Sequence, residues 1–201
     1  MKTIGIFILV VIAGNVSAQN VGIGTNNPSE KLQVVGNVKA DSFKYAAPRT
    51  TYYSIPGAAF RAERSMDTCL ISNGSGGAYM LSYLSGKRMI APVQLPHKTA
   101  IKSMTVYAID WSSADDLEIV FWRKTITGPY FPDNMGTIIT SGASSAVIPY
   151  TVPIDFFANN NVVDNTVYTY YITAGTTGTW AGTLREIRSI YFACTMVEPG
   201  N

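Results

Sequence analysis

Apolar and polar residues alternate along most of the chain after residue 50, a pattern typical of β-strands that bury one face. In the run 117–124, for example, Leu117, Ile119 and Phe121 share one face. Clusters of Gly, Asn, Ser and Asp separate these runs and predict turns. The predicted strands cover residues 51–55, 67–72, 79–83, 89–95, 101–110, 117–126, 137–140, 146–157, 167–174 and 187–197. Strands at this spacing, with no helical period after residue 18, predict an all-β fold of the sandwich type.

Two prolines fall inside one predicted strand. Pro149 and Pro153 both lie in the run 146–157. A proline has no N–H to donate to a neighbouring strand, so within sheets it is tolerated mainly at an edge. We therefore predict that this strand lies at the edge of its sheet or is broken in two.

Two predicted strands are apolar on both faces. Val120 and Trp122 add a second apolar face to one strand, and Tyr107 and Ile109 do the same for another. A sheet with one face in water is expected to be apolar on one side only. Three explanations are open: a contact between chains, cover by a loop or a further layer, or an exposed aromatic platform for a ligand.

The first eighteen residues have the composition of a secretory signal peptide. Lys2 precedes an apolar run at 4–13, and the small residues Val-Ser-Ala follow at 16–18. An apolar run of this length is typical of a cleaved signal, whereas a spanning helix needs about 20 residues. We predict cleavage before Gln19 and a bacterial protein that is secreted, either extracellular or at the cell surface. No later run is apolar enough to predict membrane insertion of the mature chain.

The composition argues against several classes of function. The chain has 201 residues, of which 47% are apolar and only 14% are charged, with a formal net charge of +2. A net charge this small provides no field to attract nucleic acid. The single histidine, His97, has no recognisable nucleophile or set of metal ligands beside it in the sequence. We predict a protein that is not an enzyme, without a cofactor, and identify no catalytic or metal-binding residue.

Residues 19–45 read as short strands that have no core of their own. The characteristic positions are Val21, Gly22, Ile23, Gly24, Pro28, Leu32, Val34 and Gly36, and a third apolar run follows at 38–43. Isolated short strands are marginal in water and need partners. Residues 20–43 closely resemble the NVGIGT-x-x-P repeat of phage tail-fibre-like and secreted bacterial surface proteins. The resemblance implies a β collar in which three chains wind together, and hence a homotrimer.

The head domain is predicted to cover residues 51–198, after a linker at 46–50. Its segments 53–61, 89–96 and 117–124 are similar to a jelly-roll-like β-sandwich seen in secreted bacterial proteins. This likeness implies an antiparallel sandwich of the jelly-roll type. It implies no defined activity.

Cys69 and Cys194 are the only cysteines in the chain. An even number of cysteines in an exported protein permits a disulfide, and the first and last strands of a sandwich are often neighbours. We therefore treat Cys69–Cys194 as a candidate bridge. The alternative is two buried free thiols, which behave as small apolar residues.

An acidic cluster lies between Asp110 and Glu118, with Asp115 and Asp116 between them. Carboxylate oxygens in a loop can bind calcium, but the spacing matches no EF-hand pattern. A solvated turn is the favoured interpretation, and a calcium ion near 110–116 is the alternative.

Four aromatic residues are candidates for a ligand site or an interface: Trp180, Trp111, Trp122 and Tyr107. Aromatic rings can stack on the apolar faces of sugars, although such residues more often lie in a core or an interface. Trp180, between Gly178 and Gly182, is the best candidate in a loop.

The leading hypothesis is a secreted, non-enzymatic structural or adhesin-like protein. In this hypothesis the collar joins three chains, and each sandwich head is presented to a glycan or another cell-surface ligand. The alternative hypothesis is a carbohydrate-binding module that uses the candidate aromatic residues.

Overall fold

The computed structural model describes residues 20–81, 85–128, 131–154 and 161–196. The chain divides into two compact units, Met1–Phe43 and Lys44–Asn201. The predicted signal peptide lies outside the described residues, so its cleavage remains a prediction. Within the described ranges, no helix is long and apolar enough to cross a membrane.

The first unit contains two short strands, β1 (Val21–Ile23) and β2 (Leu32–Val34), which pair in parallel. Gly24 follows β1 with a φ of 73°, and a Cβ there would lie 2.7 Å from the Val35 carbonyl oxygen. Only glycine fits this turn. The third apolar run, at 38–43, is not a strand, so the unit contains two strands among its described residues. That run has no neighbouring strand in the described part of this unit to pair with.

Apart from two short 3-10 turns, the regular secondary structure in the described part of the second unit consists of strands. They are β3 (Arg49–Pro56), β4 (Arg61–Ala62), β5 (Cys69–Ile71), β6 (Ala78–Met80), β7 (Met89–Val93), β8 (Ala100–Asp110), β9 (Leu117–Thr125), β10 (Asp133–Ile139), β11 (Ser144–Pro153), β12 (Tyr168–Thr176) and β13 (Arg185–Met196). Short 3-10 turns occur at Gly57–Ala59 and Gly182–Leu184. Each predicted strand region overlaps an observed strand, and positions 82–83, 155–157 and 197 of these regions lie outside the described residues. β4 and the first half of β10 were not predicted.

These strands form two antiparallel sheets that pack as a sandwich. The five-stranded sheet has the order β10-β9-β12-β7-β4, and the six-stranded sheet has the order β11-β8-β13-β6-β5, with β3 also paired to β13. The all-β sandwich prediction is therefore confirmed. β11, which contains Pro149 and Pro153, lies at the edge of its sheet as predicted. There its missing N–H groups leave no neighbouring strand unpaired.

The core lies between the two sheets. Phe121 of the five-stranded sheet and Phe192 of the six-stranded sheet are both fully buried, with ring centroids 4.7 Å apart. Successive side chains of a strand point to opposite faces, so the neighbours of these residues lie on the two outer faces of the sandwich.

Candidate functional site

A row of aligned residues crosses the outer face of the five-stranded sheet. Asn134 pairs with Trp122, Trp122 pairs with Tyr171, and Tyr171 pairs with Pro92. The row therefore runs from β10 through β9 and β12 to β7. Adjacent strands lie about 4.8 Å apart, so the two aromatic residues in the middle of the row are direct neighbours.

The indole of Trp122 is fixed along the sheet. Its Nε1–H donates a hydrogen bond of 2.7 Å to the Thr173 hydroxyl on β12. Thr173 pairs with Val120 in the next row, and both residues are only 4% exposed although they belong to the outer face. Trp122 itself remains half-buried. The side chains of this face thus cover Val120 without any second chain, and part of the indole stays accessible.

A groove of ≈ 500 Å³ adjoins Tyr171 on this face. Arg61, Ile90, Pro92 and Thr169 contribute to its lining. The Arg61 guanidinium is exposed and has no hydrogen-bonding or ionic partner among the described residues. The groove therefore combines an aromatic wall, apolar side chains and an available hydrogen-bond donor, the mixture that small-molecule and glycan sites require.

The Tyr171 hydroxyl is held in its neutral form. Burial, and to a smaller extent the nearby Glu63 carboxylate, raises the pKa of Tyr171. Since both effects disfavour the phenolate, this hydroxyl remains able to donate a hydrogen bond at neutral and moderately alkaline pH.

An ion pair borders the other end of the face. The Arg88 guanidinium lies 3.3 Å from the Glu118 carboxylate. Gly175 pairs with Glu118, and a Cβ at this glycine would lie 3.2 Å from Cγ of Arg88. The absence of a side chain at Gly175 lets the Arg88 stem lie against the sheet. Polar groups that can bond to a ligand thus flank the aromatic row on two sides.

The four aromatic candidates from the sequence occupy different parts of the fold. Trp122 lies in the row just described, while Tyr107 lies on the outer face of the six-stranded sheet. Trp111 is 57% exposed, immediately after β8. Trp180 is only 1% exposed, and its indole N–H donates to the Lys87 carbonyl oxygen. The expectation that Trp180 could stack on a sugar was therefore wrong, because its ring lies in the core.

Sequence reasoning missed Tyr171. The alternation of Thr169, Tyr171 and Thr173 on the polar side of β12 was the available signal. What the sequence could not provide was the pairing of β12 with β9, which sets Tyr171 beside Trp122.

Cys69 and Cys194 are both free thiols, so the candidate disulfide is not formed. The register explains why. Ile187 of β13 pairs with Ala78 of β6, close to the partner of Cys69, whereas Cys194 lies seven residues further along β13. Seven strand residues span roughly 23 Å, and a disulfide needs Cα atoms within about 7 Å. Burial raises the pKa of the Cys194 thiol to about 11.

Two members of the acidic cluster, Asp110 and Asp115, face a buried arginine. Arg185 is 1% exposed, and its Nη2 donates a hydrogen bond of 2.6 Å to the Asp115 carbonyl oxygen. Its Nε lies 3.5 Å from the carboxylate of Asp110, which is equally buried and also accepts from the Leu117 amide and the Thr140 hydroxyl. In the described part of the chain, no three His, Cys, Asp or Glu side chains are placed to hold a metal ion. The Asp110 side chain thus faces a cation supplied by the protein itself.

His97 lies at the surface beside β12. Its Nδ1 accepts a hydrogen bond of 3.2 Å from the Asn165 amide, and the Asp164 carboxylate lies 3.7 Å away. Hydrogen bonds from the Thr166 hydroxyl and amide lower the pKa of Asp164. These contacts organise a turn and bring no nucleophile to the imidazole.

Comparison with known proteins assigns the fold. No family model matches the sequence, and no curated protein sequence matches it. Among solved structures, a xylan-binding module, CBM15, superposes with a TM-score of 0.50 at 13% identity and covers 72% of this chain and 97% of that one. A low-affinity xylan-binding module, CBM86 from Roseburia intestinalis, gives a TM-score of 0.44 at 9% identity, covering 72% and 96%. At such low identity, the likeness to CBM15 shows a shared β-sandwich architecture.

Proposed function

We propose that this protein is a non-catalytic carbohydrate-binding module that holds a polysaccharide across the outer face of the five-stranded sheet. The observation that carries the proposal is the direct pairing of Trp122 with Tyr171 beside an open groove. The xylan-binding function in the name of CBM15, a structure of similar fold, supports a polysaccharide as the class of ligand.

Binding would rest on the two-sided chemistry of a sugar ring. Its C–H face is apolar and stacks on Trp122 and Tyr171, while its hydroxyl groups at the edge need hydrogen-bond partners. Arg61, Glu63 and the Tyr171 hydroxyl supply such partners next to the rings. The bond from Trp122 to Thr173 orients the indole before the ligand arrives, so less conformational entropy is lost on binding.

Affinity electrophoresis against a panel of neutral polysaccharides (xylan, mannan, galactan and a soluble cellulose derivative) tests this proposal. We expect the wild-type protein to be retarded by at least one of them, and the double variant Trp122→Ala/Tyr171→Ala to lose most of that retardation. Trp111→Ala is the matched control, because it deletes an exposed indole away from the row. Equal retardation of the double variant and the control would contradict the proposed site.

We further propose that the segment 20–43 joins copies of this chain, so that several heads are presented together at the cell surface or outside the cell. Its apolar side chains are largely in solvent: Val21, Ile23, Leu32, Val35, Val38 and Phe43 are each between 55% and 62% exposed. Exposed apolar clusters of this kind mark association surfaces. The tail-fibre-like repeat favours three copies, and avidity from three weak sites would suit an adhesin.

Analytical ultracentrifugation of residues 19–201 tests the assembly separately from the glycan site. We expect a trimer mass for this protein. A protein with Val21→Ser, Ile23→Ser and Leu32→Ser is expected to sediment as a monomer with the melting temperature of its head unchanged. A monomeric wild-type protein at micromolar concentration would rule out the assembly and leave the glycan proposal intact.

A further inference from the structure

The outer face of the six-stranded sheet carries no charge in its central part. This part is formed by four adjacent strands, β11, β8, β13 and β3. Each strand contributes three outward side chains, which are the first, third and fifth residues of the ranges 149–153, 103–107, 189–193 and 52–56, respectively. All of these are Tyr, Ser, Thr, Pro or Ala. The nearest charged pair on this sheet, Arg188 with Glu186, lies beyond the central part, next to Ser189. The outer face of the five-stranded sheet carries Arg61, Arg88 and Glu118. Solvated sheet faces normally include charged side chains, so this composition needs an explanation.

Three tyrosines form a diagonal across this uncharged face. The ring of Tyr191, on β13, lies 5.8 Å from that of Tyr52 on β3 and 5.9 Å from that of Tyr107 on β8. Tyr52 is 66% exposed, and the other two rings are half-buried. Mutual contact fixes the three rings in place, so each ring presents a preorganised surface to the solvent.

Hydroxyl groups surround the tyrosine diagonal. Thr105, which pairs with Tyr191, is only 2% exposed, and it shares a hydrogen bond of 2.8 Å with the hydroxyl of the exposed Thr151. Ser54 pairs with Tyr191 from the other side. Protein–protein interfaces share two features of this face, since they are enriched in Tyr and poor in charged residues. They differ from it in that Ser and Ala are depleted there and their cores are more apolar than this face, which carries Ser54, Ser103 and Ser189. Aromatic rings among uncharged hydroxyl groups instead match a polymer that is itself neutral and rich in hydroxyls.

We infer that the outer face of the six-stranded sheet is a second binding site for a neutral polysaccharide, with Tyr52, Tyr107 and Tyr191 as its stacking residues. This site is independent of the proposed Trp122 site and lies on the opposite side of the same sandwich. One head would then bind two polysaccharide chains and link them, a property that a single-site module lacks.

Face-specific variants of the full mature chain test the inference on the same polysaccharide panel. The first variant, Tyr52→Ala/Tyr191→Ala, removes the second face, and Trp122→Ala/Tyr171→Ala removes the first. We expect each to weaken binding about tenfold, equivalent to roughly 1.4 kcal/mol, and the combination of all four substitutions to abolish it. Tyr52→Phe/Tyr191→Phe keeps the rings and should retain most of the affinity.

A further variant distinguishes a loss of binding from a loss of folding. Ser54→Arg leaves every ring in place but adds a charge and bulk beside Tyr191, on an exposed position. It should weaken binding as Tyr52→Ala/Tyr191→Ala does, with an unchanged melting temperature.

The outcomes separate the two proposals. The second site is overturned, and the proposed function stands, if two results are obtained. The tyrosine variants and Ser54→Arg bind as the wild type does, and adding them to Trp122→Ala/Tyr171→Ala weakens binding no further than that double variant alone. If only the tyrosine variants lose binding, the second site stands and the Trp122 site is wrong. No binding of the wild-type protein to any polysaccharide in the panel overturns both.

Discussion

The indole N–H of Trp122 donates a hydrogen bond of 2.7 Å to the hydroxyl of Thr173, which belongs to the neighbouring strand. This contact joins β9 and β12 at the position where Trp122 and Tyr171 pair. Because both partners of this hydrogen bond belong to the sheet, the pairing of the two strands fixes the orientation of the Trp122 indole.

The substitution Thr173→Val tests that relationship. Valine has nearly the same shape but cannot accept the hydrogen bond, so the indole gains rotamer freedom that ligand binding must then remove. We expect affinity for the bound polysaccharide to fall severalfold, while the free energy of unfolding decreases by only about 0.5–1.5 kcal/mol. Isothermal titration calorimetry and urea unfolding measure the two effects. Wild-type affinity in Thr173→Val would mean that the bond does not orient the ring for binding.

Substitutions of Trp180 and Trp111 are predicted to differ in their effect on the stability of the protein rather than on ligand binding. Trp180 is 1% exposed in the core, whereas Trp111 is 57% exposed. Trp180→Ala should lower the free energy of unfolding by about 3–5 kcal/mol because it opens a large cavity. Trp111→Ala should change it by no more than about 0.5 kcal/mol. Similar urea midpoints for the two variants would contradict the burial of Trp180.

These two tryptophans also show where sequence reasoning stops. The alternation along 117–124 correctly separated the core residue Phe121 from the outward Trp122, because strand period determines the face. The glycines around Trp180 correctly predicted that it lies in a loop between strands. They could not show that its ring folds back to the Lys87 carbonyl oxygen, since that contact joins residues 93 positions apart.

The same limit applies to the strands with two apolar faces. Their outward residues were recognisable, but sheet membership depends on long-range pairing, which a local pattern does not contain. Tyr107 and Trp122 therefore seemed equivalent, although the register puts them on opposite sides of the sandwich. The proline-containing β11 was predictable because a missing N–H is a local property of the residue.

Arg185 is predicted to be essential for stability. It is the buried cation that faces Asp110 and holds the Asp115 backbone. Arg185→Ala leaves a buried carboxylate without compensation, and we expect a loss of about 3–5 kcal/mol in the free energy of unfolding. Arg88→Ala, which breaks a more exposed ion pair with Glu118, should cost about 1 kcal/mol or less. Equal costs in thermal or chemical unfolding would show that burial of Arg185 contributes nothing.

The buried thiol of Cys194 predicts how the free energy of unfolding changes at alkaline pH. Since burial raises the pKa of Cys194 from 9.0 to about 11, the folded state holds its proton at a pH where the unfolded state loses it. Stability is thus fully present below pH 9 and falls as the pH rises from 9 toward 11. Cys194→Ala should show a shallower fall than the wild type across this window.

Thiol titration provides the companion measurement. Denatured, unreduced protein should contain two reactive thiols per chain, and native protein at pH 8 should react only slowly at Cys194. A count of zero in the denatured protein would demonstrate a disulfide and contradict the strand register described above.

Tryptophan fluorescence during polysaccharide titration tests the central claim most directly, because the three indoles occupy three different environments. For the polysaccharide with the highest affinity in the panel, we expect a ligand-dependent change in emission that persists in Trp111→Phe and disappears in Trp122→Phe. A change that persists in Trp122→Phe and disappears in Trp111→Phe would place the ligand away from the aromatic row and contradict the account.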